Sequence, residues 1–212
     1  NEAENIRRIP SELVPYLKEL GMDYEIVVVD DGSKDDTAAV AESLRIPELR
    51  IIRQIPNQGV GAAIRRGIKE ATGDLLVMLD TDLTFHPKYI KVLLNRFNQG
   101  DVDFVVGSPR LAGFGKDIEW YRRVITRVAN LFYPLLFGRK MTSITPIFRL
   151  YKTKQLQELN LEANTFESTV EILFKLIMNG RTSAEVPTPL TVRIYGISKL
   201  NYWKEMGKHL KL

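Results

Sequence analysis

The 212-residue sequence predicts one α/β domain built on a mostly parallel sheet with helices on its flanks. Three observations carry this. Uninterrupted Val/Ile/Leu runs alternate with helical patterns through the first half, as strands buried on both faces do. Those runs end in polar groups, "DDGS", "DTD" and "GSPR", which such a sheet would gather on one rim. No linker, repeat or low-complexity stretch divides the chain.

The elements follow in order. Residues 9–20 have helical spacing, residues 24–33 form a β-rich run ending in acids and Gly, and residues 35–44 form a helix capped by its own acids. A short strand over 49–54 leads to a helix over 59–71 that Gly73 stops. A strand over 74–80, a helix from Pro87 to Phe97 and a strand over 102–110 complete the first half. The second half reads as a long helix over 117–139, a loop over 142–151, a helix over 168–180, an extended run over 183–196 and a final helix from Ser198.

Composition removes several chemistries. There is no cysteine, which excludes disulfides, zinc-thiolate sites and a thiol nucleophile. The two histidines, His86 and His209, are too few for a histidine metal cluster. No stretch is apolar enough to span a bilayer and no signal peptide is visible. The chain opens "NEAENI" and stops in "MGKHLKL", so both ends are expected to be truncation points. Residues 1–106 carry 13 Lys/Arg against 18 Asp/Glu, whereas residues 107–212 carry 17 against 8. An acidic half joined to a basic half points to a metal or nucleotide end and an anion or membrane-surface end, with charge clustered on solvated faces as the alternative.

Asp80 and Asp82 stand two apart where the strand "LLVMLD" stops, so both side chains can face the rim. Two carboxylates so close repel unless a cation lies between them, and their oxygens suit Mg2+ or Mn2+. A solvated strand end is the competing reading. Asp30 and Asp31 occupy the turn where a dinucleotide fold would carry G-x-G-x-x-G; they suit a base or ribose better than a pyrophosphate. Gly59 and Gly61 lack the third glycine of that fingerprint and are expected to permit a tight turn and close helix packing.

The basic half offers Arg110 after a strand, Arg122, Arg123 and Arg127 on one helix, and Arg149, Arg193 and Lys199 at later element ends. Arg123 and Arg127 share a face, and guanidinium forks match phosphate oxygens. Two segments suit a membrane surface. "ANLFYPLLFGRK" is a greasy helix end, and "SKLNYWKEMGKHLKL" sets Leu200, Trp203, Met206 and Leu210 at helical spacing among lysines. A core-packing helix with a solvated Lys face is the alternative for the second.

Taken in order, "NEAENI", "VVVDDGSKDDT", "NQGVGAAIRRG", "ATGDLLVMLDTDLTFHPKYI", "VGSPR", "RRVITRVAN", "FRLY", "VEILFK" and "EVPTPLTVRIYGISKL" resemble the dolichyl-phosphate mannose synthase branch of the GT-A glycosyltransferases. The resemblance spans nearly the whole chain. It implies a single GT-A, Rossmann-like catalytic domain, residues 1–106 serving nucleotide sugar and metal and residues 107–212 serving acceptor and membrane. The implied reaction moves mannose from GDP-mannose to a polyprenyl phosphate, with inversion, at the cytoplasmic face of a membrane. Close relatives use UDP-glucose, and a non-catalytic nucleotide-binding or membrane-scaffold module of the same fold is the alternative of another class. Nucleic acid is not an expected partner.

By position, the resemblance implies that Asn1, Glu2, Asp30, Asp31 and Gly32 meet the nucleotide, and that Asp80 and Asp82, with Thr84, hold Mg2+ or Mn2+ against the diphosphate. Arg193 and Lys199 would close on that diphosphate; Ser108, Arg110, Arg123 and Arg127 would receive the lipid phosphate. The family strand that precedes "NE" is absent here, and "TPIFR" stands where the family often reads "TSGFR", which stiffens a loop near the acceptor. A phosphate monoester is largely ionised at neutral pH, its second pKa being about 6. The mechanism therefore needs orientation and leaving-group stabilisation more than a base, with Asp82 serving the metal.

Overall fold

The computed structural model describes residues 1–113 and 141–196. The expected N-terminal helix is three single turns, α1 (Ala3–Ile6), α2 (Ile9–Glu12) and α3 (Val14–Lys18). Pro10 and Pro15 explain the breaks, because each lacks the N–H that would continue the helical ladder and sits comfortably only in a first turn. There follow β1 (Ile26–Asp30), α4 (Thr37–Ser43), β2 (Leu49–Arg53), α5 (Val60–Glu70) and β3 (Leu75–Met78). A 3-10 turn (Pro87–Tyr89) opens α6 (Ile90–Phe97), and β4 (Phe104–Ser108) ends the first half.

β1 and β2 pair in parallel. β3, β5 (Arg149–Lys152), β4 and β6 (Ser183–Pro187) form a second sheet in that order. Within it β4 and β6 are parallel, while β5 runs against both β3 and β4. β3, β4 and β6 therefore share a direction and only β5 is reversed. The sequence predicts a loop over 142–151, yet its end is this central strand. The run is short and carries Arg149, so it lacks the apolar continuity of the other strands. α7 (Thr153–Gln157) follows β5, and α8 (Ser168–Met178) matches the expected helix over 168–180.

The sheet is covered on both faces. Val105 and Leu150 join Ile6, Ile9, Leu93 and Phe148 on one side, and Phe104, Val106 and Tyr151 join Ile68, Met78 and Leu173 on the other. Alternate residues of β4 and β5 thus feed opposite cores, as a pleated strand requires. Each such side chain contributes about 1.5–3 kcal/mol by leaving water. The shared direction of β3 and β4 brings Asp80 and Ser108 to one rim, and Thr188 N–H donates to the Ser108 carbonyl there at 3.1 Å.

Among the described residues no helix is long and apolar enough to cross a membrane. The long helix expected over 117–139, the final helix from Ser198 and both segments read as membrane-facing lie outside the described residues.

Candidate active site at the carboxyl rim

Beyond β3 the chain turns through Asp80–Thr84. Asp82 is 7% exposed and both its oxygens are engaged. Oδ1 accepts from Thr84 N–H at 3.0 Å and from the Thr84 hydroxyl at 2.9 Å. Oδ2 accepts from Arg193 Nε at 2.8 Å and lies 2.7 Å from a second guanidinium nitrogen. Leu83 makes this possible by adopting φ +53°, a left-handed conformation that a branched apolar residue enters only at a cost of about 1–2 kcal/mol. Its side chain is buried, which offsets the strain.

Asp80 is partly exposed but hemmed in by neighbouring atoms. Burial, then the Asp82 charge and to a lesser degree Glu2, push its carboxyl up to about 7, and Arg193 opposes them. Two hard oxygen donors, with no third His, Cys, Asp or Glu beside them among the described residues, fit an open Mg2+ or Mn2+ site whose other positions come from water and substrate phosphate. Thr84, expected as a further ligand, donates its hydroxyl proton to Asp82, which leaves the oxygen lone pairs for a cation.

Arg193 also joins the rim to the N-terminal segment. Its NH1 lies 3.7 Å from Glu2 Oε1, while Glu2 N–H donates to the Thr37 hydroxyl at 2.8 Å. Asn1 Oδ1 accepts from Lys34 N–H at 2.7 Å. Glu2 and Asn1 therefore tie the turn after β1 to the Asp80–Asp82 turn. Asp30 is buried and accepts from Ser33 N–H at 3.0 Å.

Asp31, expected at the nucleoside, has both oxygens occupied by the loop after β2. Oδ1 takes Gln54 Nε2 at 2.6 Å and Gln58 N–H at 2.9 Å, and Oδ2 takes Gly59 N–H at 2.7 Å. It acts here as the clasp of that loop. Gly32 fits the same turn, since a Cβ there would come within 2.9 Å of the Asn57 nitrogen.

At the end of β4, Ser108 is fully buried, and its Oγ lies 2.6 Å from the Ser143 hydroxyl and 3.0 Å from that of Thr142. Arg110 stands exposed in the next turn. Arg122, Arg123, Arg127 and Lys199 lie outside the described residues. Arg149 turns inward. It is 1% exposed and donates to the carbonyls of Thr169 and Ile144 and to the Tyr151 hydroxyl, so it serves the interior and not the rim.

Two supporting residues escape sequence reading. Arg8 NH1 donates to the Asp82 carbonyl and to Asn5 Oδ1, and Glu185 accepts the N–H groups of Thr142 and Ser143. The only sequence signals are the pair "RR" after a short helix and an acid within a strand, neither of which names a partner.

Residues 1–159 match the model of glycosyl transferase family 2. The chain is 32% identical over 206 residues to the dolichol-phosphate mannosyltransferase of Pyrococcus furiosus, covering 94% of this chain and 56% of that relative. It is 28% identical to the polyprenol monophosphomannose synthase of Mycolicibacterium smegmatis, covering 95% and 78%. Its fold superposes on glucosyl-3-phosphoglycerate synthase from Mycobacterium tuberculosis, solved with Mn2+ and UDP-glucose, at TM-score 0.73 and 21% identity, covering 100% of this chain and 73% of that one. The chain thus spans little more than half the length of the first of these relatives.

Proposed function

The chain belongs to glycosyl transferase family 2, and from that premise we propose that it transfers a hexose from a nucleotide sugar to a polyprenyl phosphate, with GDP-mannose as donor. The observation that carries this is the Asp80–Asp82 pair at the rim, faced by Arg193 and Glu2. The names of the two mannosyl-transferring relatives support the acceptor and the sugar.

In this reading residues 1–212 form one catalytic domain. Asp80 and Asp82 would hold Mg2+ or Mn2+, which when bound neutralises charge on the departing diphosphate. Arg193, with Lys199 from the sequence resemblance, contacts that diphosphate. Arg110, with Arg123 and Arg127, orients the acceptor phosphate; Ser108, expected there too, is fully buried with its hydroxyl on Thr142, Ser143 and the Leu111 N–H, so it braces the turn that carries Arg110. An acceptor oxygen forms the bond to the anomeric carbon from the face opposite the diphosphate, the sugar–diphosphate bond breaks, and the configuration inverts. The acceptor brings its own negative charge, so no side chain need remove a proton. A lipid acceptor calls for a membrane surface, and the family resemblance implies its cytoplasmic face.

A donor screen tests the proposal: GDP-mannose, UDP-glucose and UDP-N-acetylglucosamine, each with a polyprenyl phosphate and Mg2+ or Mn2+. Mannosyl transfer is expected. Transfer from UDP-glucose alone selects the glucosyl reading, and binding of neither nucleotide by the full-length protein selects the non-catalytic scaffold.

A further inference from the structure

The Asp82 carboxylate has one oxygen committed to its own turn. Thr84 N–H and hydroxyl both converge on Oδ1, which leaves Oδ2 as the atom a cation would use. Arg193 covers that atom with two nitrogens, at 2.8 and 2.7 Å. The same oxygen cannot offer its lone pairs to a divalent ion while it holds this fork. The Arg193 side chain is 28% exposed, so the pair is substantially but not fully withdrawn from water.

The segment that carries Arg193 is held mainly at one end. On its N-terminal side it is pinned: Leu190 bridges to Phe85, and the Thr191 N–H and hydroxyl both donate to the Thr84 carbonyl, at 2.8 and 2.9 Å. Beyond that pin, Val192 is 77% and Ile194 63% exposed. Beyond Arg193, Asn5 Nδ2 donates to the Tyr195 carbonyl at 3.4 Å. Swinging Arg193 away from Asp82 therefore uncovers little apolar surface and breaks, besides the Asp82 pair, the longer 3.7 Å contact to Glu2.

We propose that Arg193 is an exchangeable counter-ion: it caps Asp82 Oδ2 in the metal-free protein, is displaced when a divalent cation takes that oxygen, and is thereby freed for the diphosphate that arrives with the cation. The exchange rests on the reading of Asp82 as a metal ligand. It couples the two ligands, because the cation alone must break the Asp82–Arg193 pair, whereas cation and diphosphate together give the guanidinium a new partner. Weak binding of the bare cation and strong binding of the pair follow from one side chain.

The test measures Mn2+ binding by electron paramagnetic resonance, with no nucleotide present, in the full chain and in Arg193→Ala, Arg193→Lys, Asp82→Asn and the Arg193→Ala/Asp82→Asn double variant. Arg193→Ala is expected to bind Mn2+ alone about tenfold more tightly, within the ordinary range of coupling between ligands. The same variant is expected to bind GDP in the presence of Mn2+ about tenfold more weakly. Arg193→Lys keeps a cation and is expected to lie between the parent and the Ala variant for Mn2+ alone. Unchanged or weaker Mn2+ binding in Arg193→Ala, with Asp82→Asn still abolishing it, overturns the exchange and leaves the metal site standing. Unchanged Mn2+ binding in both Asp82→Asn variants overturns the metal site and the exchange with it. Thermal unfolding and far-UV dichroism establish that each variant is folded; if Arg193→Ala is not, the Arg193→Lys comparison decides, and Mn2+ affinity equal to or below the parent's there overturns the exchange.

Discussion

Arg8 NH1 lies 3.0 Å from the carbonyl oxygen of Asp82, 74 residues away, and Glu12 holds the far side of the same guanidinium at 2.7 and 2.8 Å. The Asp82 turn is thus anchored through its backbone by a side chain that Glu12 holds in place. A hydrogen bond from a charged donor contributes about 1.5–3 kcal/mol. Arg8→Ala should lower stability by about 2 kcal/mol and reduce turnover by about tenfold or more, because Leu83 is released from its strained conformation. Urea unfolding and initial-rate assays check this. Full activity in Arg8→Ala would detach the anchor from catalysis.

Glu185 places each carboxylate oxygen on one backbone N–H, Thr142 at 2.8 Å and Ser143 at 2.7 Å, beside the Ser108 hydroxyl. Glu185→Ala should raise the KM for polyprenyl phosphate by about tenfold while leaving the donor KM within about twofold, if the released loop borders the acceptor side as proposed. Glu185→Gln, which retains one accepting oxygen, should recover part of the loss. Equal changes in both KM values would assign Glu185 to the scaffold at large.

A Cβ on Gly61 would collide with the Ala163 carbonyl, and one on Gly59 with the Asn164 carbonyl. Gly61 N–H donates to that same Asn164 carbonyl at 2.9 Å, so the approach is a backbone contact and cannot yield cheaply. Gly61→Ala is expected to cost about 1–3 kcal/mol, visible as a lower midpoint in thermal or urea unfolding. A midpoint equal to the parent's would mean the 163–164 loop moves freely.

Asp103 accepts from the N–H and hydroxyl of Thr182 and from Gln155, and its carboxyl is held below the usual aspartate range, chiefly by the Thr182 N–H. A depressed folded-state pKa means stability is present above the unfolded value of about 3.9 and is lost as pH falls through the lower folded value. The parent should therefore lose stability on acidification below about pH 4, and Asp103→Asn should show a flatter acid limb. Unfolding free energies measured from pH 7 to pH 2 check the slope; identical slopes would remove Asp103 from the acid response.

The strands, the helices around them and the convergence of "DDGS", "DTD" and "GSPR" were legible because each depends on local pattern: apolar runs, capping acids and the two-residue repeat of an extended chain. The glycines at 59 and 61 were legible for the same reason, a backbone need that only glycine meets. β5 was not. Its burial comes from insertion between β3 and β4, which no feature of "FRLY" announces. The helix over 9–20 misled in the other direction, its apolar spacing persisting across prolines that cut it into turns.

What the sequence determined by itself is the order of elements and the presence of paired acids at the ends of strands. Partner choice was decided by tertiary structure. Asp31 turns to the Gln54–Gly59 loop, Arg149 turns inward, and Arg193 crosses 111 residues to the oxygen of Asp82 that Thr84 leaves open. The physical reason is range. Local patterning follows from the repeat of helix and strand, whereas a charge is satisfied by whichever opposite charge or dipole the folded chain delivers within about 3 Å.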